Sequence, residues 1–416
     1  MGLNGVYIAS ILLEGEKKMQ SRSRLDARAR VFGVLAEAGT VSRAELARRT
    51  ALAPSTVSAI VGELQAEGLV VEPPASAVAP ASGVLGRPPV LLALHRRAGL
   101  ALGIDFGKRY LRLALSDLSH TMLAERHRAL DADLPATEAI ALAVRLAEEI
   151  LTETSVDRAE VVGVGMGLPG PVHRPSGELG DSTILPGWVG VRAAEAVGDA
   201  LGLSAEVEND ANLGALGERL WGAGRGADPM VYLKVANGIG AGFVIGGQPY
   251  VGAGGTAGEI GHTVVDPNGP ICRCGNRGCL ETMAAAPAIL AALRETYGEE
   301  LTLTEAISRA LAGDAGCQRA VADAGRTIGT SVATLCNLFN PRRIVVGGDL
   351  SAAGELLLEP LRESLRLGTI RSAADDVEVV KGILGERAEV LGAVALVLRR
   401  GAQLMDGAIL RPAAGN

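Results

Sequence analysis

The chain has 416 residues, 48% hydrophobic and 21% charged, with 55 glycines, 3% aromatics and a net charge of −7. That length calls for two or three domains, and the glycine and aliphatic content favours an α/β fold built on tight turns. No apolar run reaches the roughly 18 residues of a membrane span. Val6 to Leu13 lacks a preceding basic segment and a small-residue cleavage site, so neither a membrane partner nor a secretion signal is expected, and the localisation expected is cytoplasmic.

Residues 1–18 join poorly to the segment after them. The run Glu14-Gly15-Glu16-Lys17-Lys18 is encodable by purine-rich codons that resemble a ribosome-binding site, so translation is expected to start at Met19. Residues 19–97 hold ten Arg, no Lys and six acids, a net +4; residues 1–18 are neutral, which leaves −11 for residues 98–416. A basic front on an acidic body implies that only the front approaches a polyanion.

Leu25 to Ala38 has helical periodicity and stops at Gly39, a natural C-cap. Thr40 or Ser42 then caps a short helix, Arg43 to Arg49, with Glu45 where a capping box places its acid. Pro54 opens a further helix with an apolar stripe of Val57, Ile60, Val61 and Leu64 and an opposite face of Ser55, Thr56 and Ser58. Helix, turn and helix in this order form a helix-turn-helix, whose small polar side chains enter a major groove. Leu69 to Glu72 and Pro89 to Leu94 bracket a Pro/Ala/Ser/Gly loop as a β-wing, and Arg87 is placed to reach a minor groove. The expected partner is an operator in double-stranded DNA. The domains read as 19–75 for the winged helix-turn-helix, 76–98 for wing and linker, and 99–416 for the body.

From Gly99 the pattern becomes α/β with a mixed sheet. Strands are expected at Leu100 to Asp105, Tyr110 to Asp117, Val161 to Met166, Ala205 to Glu208, Val231 to Lys234, Phe243 to Ile245 and Ile344 to Val346. Helices are expected at 136–152, 213–220, 284–297, 303–312, 315–338, 355–367 and 391–399, with Asn340-Pro341 ending the fifth. Asn209-Asp210 at a strand end either caps the next helix or opens onto a cleft as a hydroxyl-binding, proton-accepting pair. The glycine-rich run Ala236 to Gly242 is either a phosphate-cradling hairpin or only a tight turn. Cys317 and Cys336 read as core thiols.

The stretch Gly258 to Glu281 resists explanation by packing alone. His262, Cys272, Cys274 and Cys279 make a complete tetrahedral set for a structural zinc ion, and Gly275 and Gly278 let the loop fold back so that the sulfurs converge. Glu259 and Glu281 flank the knot, and the second nitrogen of His262 needs an acceptor outside the metal shell.

Gly258-Glu259-Ile260-Gly261-His262, the cysteine cluster ending in Glu281, Val207-Glu208-Asn209-Asp210-Ala211-Asn212, and Pro341 with Val346-Gly347-Gly348 resemble the ROK family of repressors and sugar kinases, over nearly the whole chain from about residue 25. The resemblance implies a two-lobed, actin-like ATPase fold. It also implies that Asn209, Asp210, Glu259, His262 and Glu281 contact sugar hydroxyls, with Asp210 the general base if the chain is a kinase. Kinases of the family carry Asp-x-Gly-Gly-Thr in the first phosphate hairpin and Gly-Thr-Gly-Ile-Gly in the second. This chain reads Asp105-Phe106-Gly107-Lys108-Arg109 and Ala236-Asn237-Gly238-Ile239-Gly240. ATP and Mg2+ are therefore not expected as cofactors. The expectation is a sugar-responsive transcriptional repressor, a homodimer or homotetramer on an inverted repeat. The rival is a sugar kinase that keeps a DNA-binding front.

Overall fold

The computed structural model describes residues 27–404 apart from 29, 36–37, 74–89, 96–98, 119, 131–133, 174–175 and 181–183. The expected start at Met19 and the wing residue Arg87 lie outside the described residues.

The front comprises α1 (helical through residues 30–35), β1 (Thr40–Ser42), α2 (Arg43–Thr50), α3 (Pro54–Ala66), β2 (Val70–Val71) and β3 (Leu91–Leu94). Gly39, at φ +70°, closes α1 by donating its amide to the Leu35 carbonyl at 3.0 Å. Of the two candidate caps for α2, Ser42 is the one that acts: its hydroxyl accepts from the Glu45 amide at 3.2 Å, while Thr40 lies in β1. Glu45 itself pairs with Arg48, so only the Ser42 half of the expected capping box is made. Strand β1 was not expected. Three residues carry too little pattern to be read, and β1 exists because β3 supplies its antiparallel partner.

The first body sheet is built from β4 (Leu100–Phe106), β5 (Tyr110–Asp117), β6 (Met122–Ala129), β7 (Val161–Leu168) and β8 (Ala205–Asn209), in the order β6-β5-β4-β7-β8. Around it lie α4 (Ala136–Thr154), α5 (Ala193–Leu201) and α6 (Asp210–Trp221). The second has β9 (Met230–Val235), β10 (Ile239–Ile245), β11 (Gln248–Tyr250), β12 (Arg343–Gly347) and β13 (Glu378–Lys381), in the order β11-β10-β9-β12-β13. Its helices are α7 (Leu280–Ala284), α8 (Ala286–Tyr297), α9 (Leu303–Leu311), α10 (Ala315–Phe339), α11 (Glu355–Gly368) and α12 (Arg371–Asp376), and α13 (Ala388–Leu404) follows. Each sheet is a three-strand antiparallel meander extended by two parallel strands. The two lobes therefore repeat one topology.

Several elements of the body are not legible as sequence patterns. Edge strand β6 carries Glu125, Arg126 and Arg128 in its second half, charges that protect a sheet edge but hide it from a search for apolar runs. Strands β11 and β13 and helices α5 and α12 are short, too short for a periodic apolar pattern to mark them. The helix expected to begin at Leu213 begins at Asp210. The one expected over 284–297 is preceded by α7 and starts at Ala286. Strand β10 begins at Ile239, so the expected 236–242 hairpin shrinks to a turn at Ala236 to Gly238, with Gly240 and Gly242 inside the strand.

Separate apolar clusters fill the two lobes. Cys317 and Cys336 are fully buried in the second. A third cluster joins Leu35, Leu46, Val61 and Leu92 of the front to Ala101 and Ala114 of the first sheet and to Val390, Val394 and Leu398 of α13. Among the described residues no helix is long and apolar enough to cross a membrane.

Candidate functional site

Strand β8 delivers Asn209 and Asp210 to the start of α6. Asn209 is the N-cap: its Oδ1 accepts from the amides of Ala211 (2.8 Å) and Asn212 (3.2 Å), and its Nδ2 donates to the Gly170 carbonyl at 2.9 Å. The side chain is thus engaged in fastening the helix start to the turn after β7. Asp210 is the first helical residue, where the helix dipole favours a carboxylate. Its Oδ2 lies 3.0 Å from Lys234 Nζ.

Glu259 precedes and His262 closes a 3-10 turn, Ile260–His262, that is pressed onto β10. Gly258, at φ +99°, leaves no room for a side chain, because a Cβ there would stand 1.8 Å from the Ala241 carbonyl oxygen. Gly261 is equally tight, with 2.1 Å to the Ile239 oxygen. These close approaches explain the two glycines of the Gly-Glu-Ile-Gly-His run. Burial, reinforced by the Asp210 and Glu281 carboxylates, raises the Glu259 carboxyl above its ordinary range, and Arg273 opposes the shift. Glu281 Oε2 accepts from Arg273 at 2.7 Å and from the Ile239 amide at 3.3 Å. Asp210, Glu259 and Glu281 therefore share one acidic neighbourhood.

His262, Cys272, Cys274 and Cys279 converge, with all four ligand atoms within 4.8 Å of one another. Cys272 Sγ lies 3.5 Å from His262 Nδ1, and Cys274 Sγ 3.7 Å from Cys279 Sγ. Tetrahedral coordination with metal–sulfur bonds near ~2.3 Å and metal–nitrogen bonds near ~2.0 Å has edges of about 3.8 Å between sulfurs and about 3.6 Å from sulfur to nitrogen. The donor set fits a metal ion. With Nδ1 turned to the thiols, His262 Nε2 faces Glu259 Oε2 at 3.7 Å, on the side where an acceptor outside the shell is expected but beyond hydrogen-bond distance.

At the front, Val57, Ile60, Val61 and Leu64 are buried, while Ser55, Thr56 and Ser58 are exposed on the other face of α3, beside Ala59 and Gly62. Arg43 Nη2 donates to Gln65 Oε1 at 3.1 Å and ties α2 to α3. Small side chains on an exposed face let a helix seat deeply in a groove.

A ROK family model matches residues 101–400, and a MarR family model matches residues 25–77. A xylose repressor from Caldicellulosiruptor bescii is 31% identical over 371 residues, covering 86% of this chain and 92% of the relative. The chain belongs to the ROK family. A glucokinase from Thermotoga maritima is 37% identical over 273 residues, but these cover only 62% of this chain against 84% of the kinase. A solved ROK family transcriptional regulator, a homologue of the E. coli MLC protein, superposes with a TM-score of 0.75 at 27% identity over 92% of this chain and 98% of its own. The fold is a MarR-type winged helix-turn-helix followed by a ROK actin-like domain.

The two turns whose sequences depart from the kinase pattern lie at Phe106 to Arg109 and Ala236 to Gly238. Lys108 and Arg109 are exposed beyond β4. The second turn packs on Glu281, whose Oε2 would stand 2.6 Å from a Cβ at Gly238. Lys234, unnoticed in the sequence, sits at the centre: its ammonium is 3.0 Å from Asp210 and 3.1 Å from Glu389 on α13. Burial pushes this lysine toward neutrality, but Asp210 and Glu389 outweigh it and hold the ammonium well above its ordinary pKa. Asp105 is 1% exposed, with neither carboxyl oxygen hydrogen-bonded by the protein. Burial first, and Glu389 next, push it up to about 7. Two signals for this group were present: a lysine inside the otherwise apolar strand Met230–Val235, and a glutamate at the head of an apolar helix.

Proposed function

We infer that this protein is a DNA-binding transcriptional repressor whose hold on its operator is controlled by a sugar. The observation that carries the reading is the union, in one chain, of an exposed small-residue helix face at the front and a cluster of carboxylates beside a histidine in the ROK domain. Asp210, Glu259, His262 and Glu281 are the groups that would meet sugar hydroxyls, and Asn209 sets Asp210 in place. Paired acceptors and donors match adjacent hydroxyls of a pyranose and disfavour ligands that leave them unpaired. Asp210 is offset by Lys234 and Glu281 by Arg273, so the cluster offers both acceptors and donors to a sugar. D-Xylose is the first candidate, because relatives that span nearly the full chain are named xylose repressors. The metal is zinc, held by one imidazole and three thiolates in a closed structural site. The DNA reader is α3, with Ser55, Thr56 and Ser58 facing bases and Arg87 as a wing contact. A dimer would set two such helices on an inverted repeat.

The direct test is operator binding by the full chain with and without D-xylose. Deleting residues 19–97 should abolish specific binding, and affinity should fall steeply with salt as counterions are released. Retention of specific binding after the deletion counts against the assignment. The same preparation should release no ADP from ATP in the presence of the sugar, since Lys234 occupies the carboxylate that a kinase would use as base; sugar-dependent turnover lost in Asp210→Asn would promote the kinase reading.

Glu259→Ala should leave operator affinity intact and raise the xylose concentration needed for release by about 10- to 100-fold, the loss of one charged hydrogen bond. Titration of release by fluorescence anisotropy checks this. An unchanged midpoint would remove Glu259 from the site.

A further inference from the structure

A buried ion network connects the acidic cluster to the helix that shares its core with the DNA-binding end. Four elements contribute: Asp105 from β4, Tyr232 and Lys234 from β9, Asp210 from α6 and Glu389 from α13. Lys234 Nζ bridges Asp210 Oδ2 at 3.0 Å and Glu389 Oε1 at 3.1 Å, and the Tyr232 hydroxyl donates to Glu389 Oε1 at 3.3 Å. The side chains of Lys234 and Asp210 are each 16% exposed and that of Glu389 5%, so a ligand meets the Lys234–Asp210 end first. One ammonium shared between two carboxylates is a two-position device: weakening one contact strengthens the other.

Glu389 lies in the first turn of a helix with no slack. A Cβ at Gly392 would stand 1.8 Å from the Leu213 carbonyl oxygen, and one at Gly217 2.2 Å from that of Ala388, so α13 and α6 meet backbone to backbone. Interfaces this tight shift as bodies instead of deforming. Farther along, Val390, Leu391, Val394, Val397 and Leu398 belong to the same apolar cluster as Leu46, Val61, Leu92 and Leu94 of the winged helix-turn-helix.

We propose that Lys234 and Glu389 form the relay of this regulator: a sugar hydroxyl inserts between Lys234 and Asp210, donating to the carboxylate and accepting from the ammonium, Lys234 is drawn onto Glu389, and α13 carries the shift to the DNA-binding end. This rests on the sugar-site reading above. Lys234 touches the ligand, whereas Glu389 is a positioning residue that acts through Lys234 and α13.

The experiment uses the full-length chain, an operator fragment and D-xylose as the probe. Wild-type protein should bind xylose by calorimetry and lose operator affinity by a factor within about 5- to 150-fold, the usual span of allosteric coupling. In Glu389→Gln, operator affinity without sugar and xylose affinity should each stay within about threefold of wild type, while the release factor falls below about 2. Glu389→Asp, which keeps the charge, should recover part of it. A Glu389→Gln protein with the wild-type release factor overturns the relay and leaves the sugar site standing. A wild-type protein that neither binds nor responds to xylose overturns the sugar assignment and the relay with it. If Glu389→Gln does not fold, hydrogen exchange on the wild type decides. Xylose should change protection in residues 388–398 and 54–66 together, and an unchanged α13 beside a changed front overturns the proposal.

Discussion

Cys279→Ser is expected to empty the metal site and to cost the second lobe several kcal/mol, on the order of 10 °C in melting temperature. Cys279 is fully buried at the N-cap of α7, and the loop it anchors is held by scattered backbone contacts such as Gly278 to Pro270 and Cys272 to Asn276, both 2.7 Å. Without a cation, three thiols and an imidazole at these separations are held only by weak S–H hydrogen bonds, far less than four metal–ligand bonds supply. The loss should spread to function. His262 Nε2 would no longer be fixed opposite Glu259, and Glu281, two residues beyond Cys279, would no longer be fixed beside the second turn. Elemental analysis of freshly purified protein, with thermal melts before and after a strong chelator, provides the check. Native protein without bound metal, or a Cys279→Ser variant melting with the wild type, would remove the metal from the account.

Asp105→Asn is expected to raise stability at pH 8 and to flatten its dependence on pH. The Asp105 carboxyl titrates at 3.8 when unperturbed and at about 7 in the fold, so the folded state binds the proton more tightly. Stability drawn from the neutral form is then fully present below about pH 4 and is lost as pH rises through about 7. A shift from 3.8 to about 7 corresponds to at most about 4 kcal/mol. Glu389 and Asp210 face this group and add to the effect of burial, while Lys234 and Arg112 oppose it. Asparagine carries no charge at any of these pH values, and the difference between variant and wild type isolates this residue from other raised carboxyls such as Glu218 and Glu259. Denaturant unfolding at pH 5 and pH 8 measures it. Parallel pH profiles for the two proteins would show that Asp105 ionises without cost.

What the sequence by itself determined is whatever short-range chemistry enforces. The Cys-x-Cys-x4-Cys spacing with its internal glycines, the cap at Ser42, the proline start of α3 and the apolar stripe at Val57, Ile60, Val61 and Leu64 each depend on residues within a few positions, and each is found where expected. The apolar strands β4, β5, β9 and β12 were legible for the same reason, while the charged edge strand β6 exists only because β5 pairs with it. The order of motifs also carried the two-part architecture. Tertiary structure alone decided which polar groups are available. Asn209 has its amide engaged by the helix start and by Gly170, a residue 39 positions earlier. Lys234 meets Asp210 from 24 positions away and Glu389 from the far end of the chain. The continuity of the front's core with α13 joins Leu46 to Val394. An ion pair or a shared core is set by three-dimensional distance and by the water that folding excludes, and neither is written in the spacing of residues along the chain.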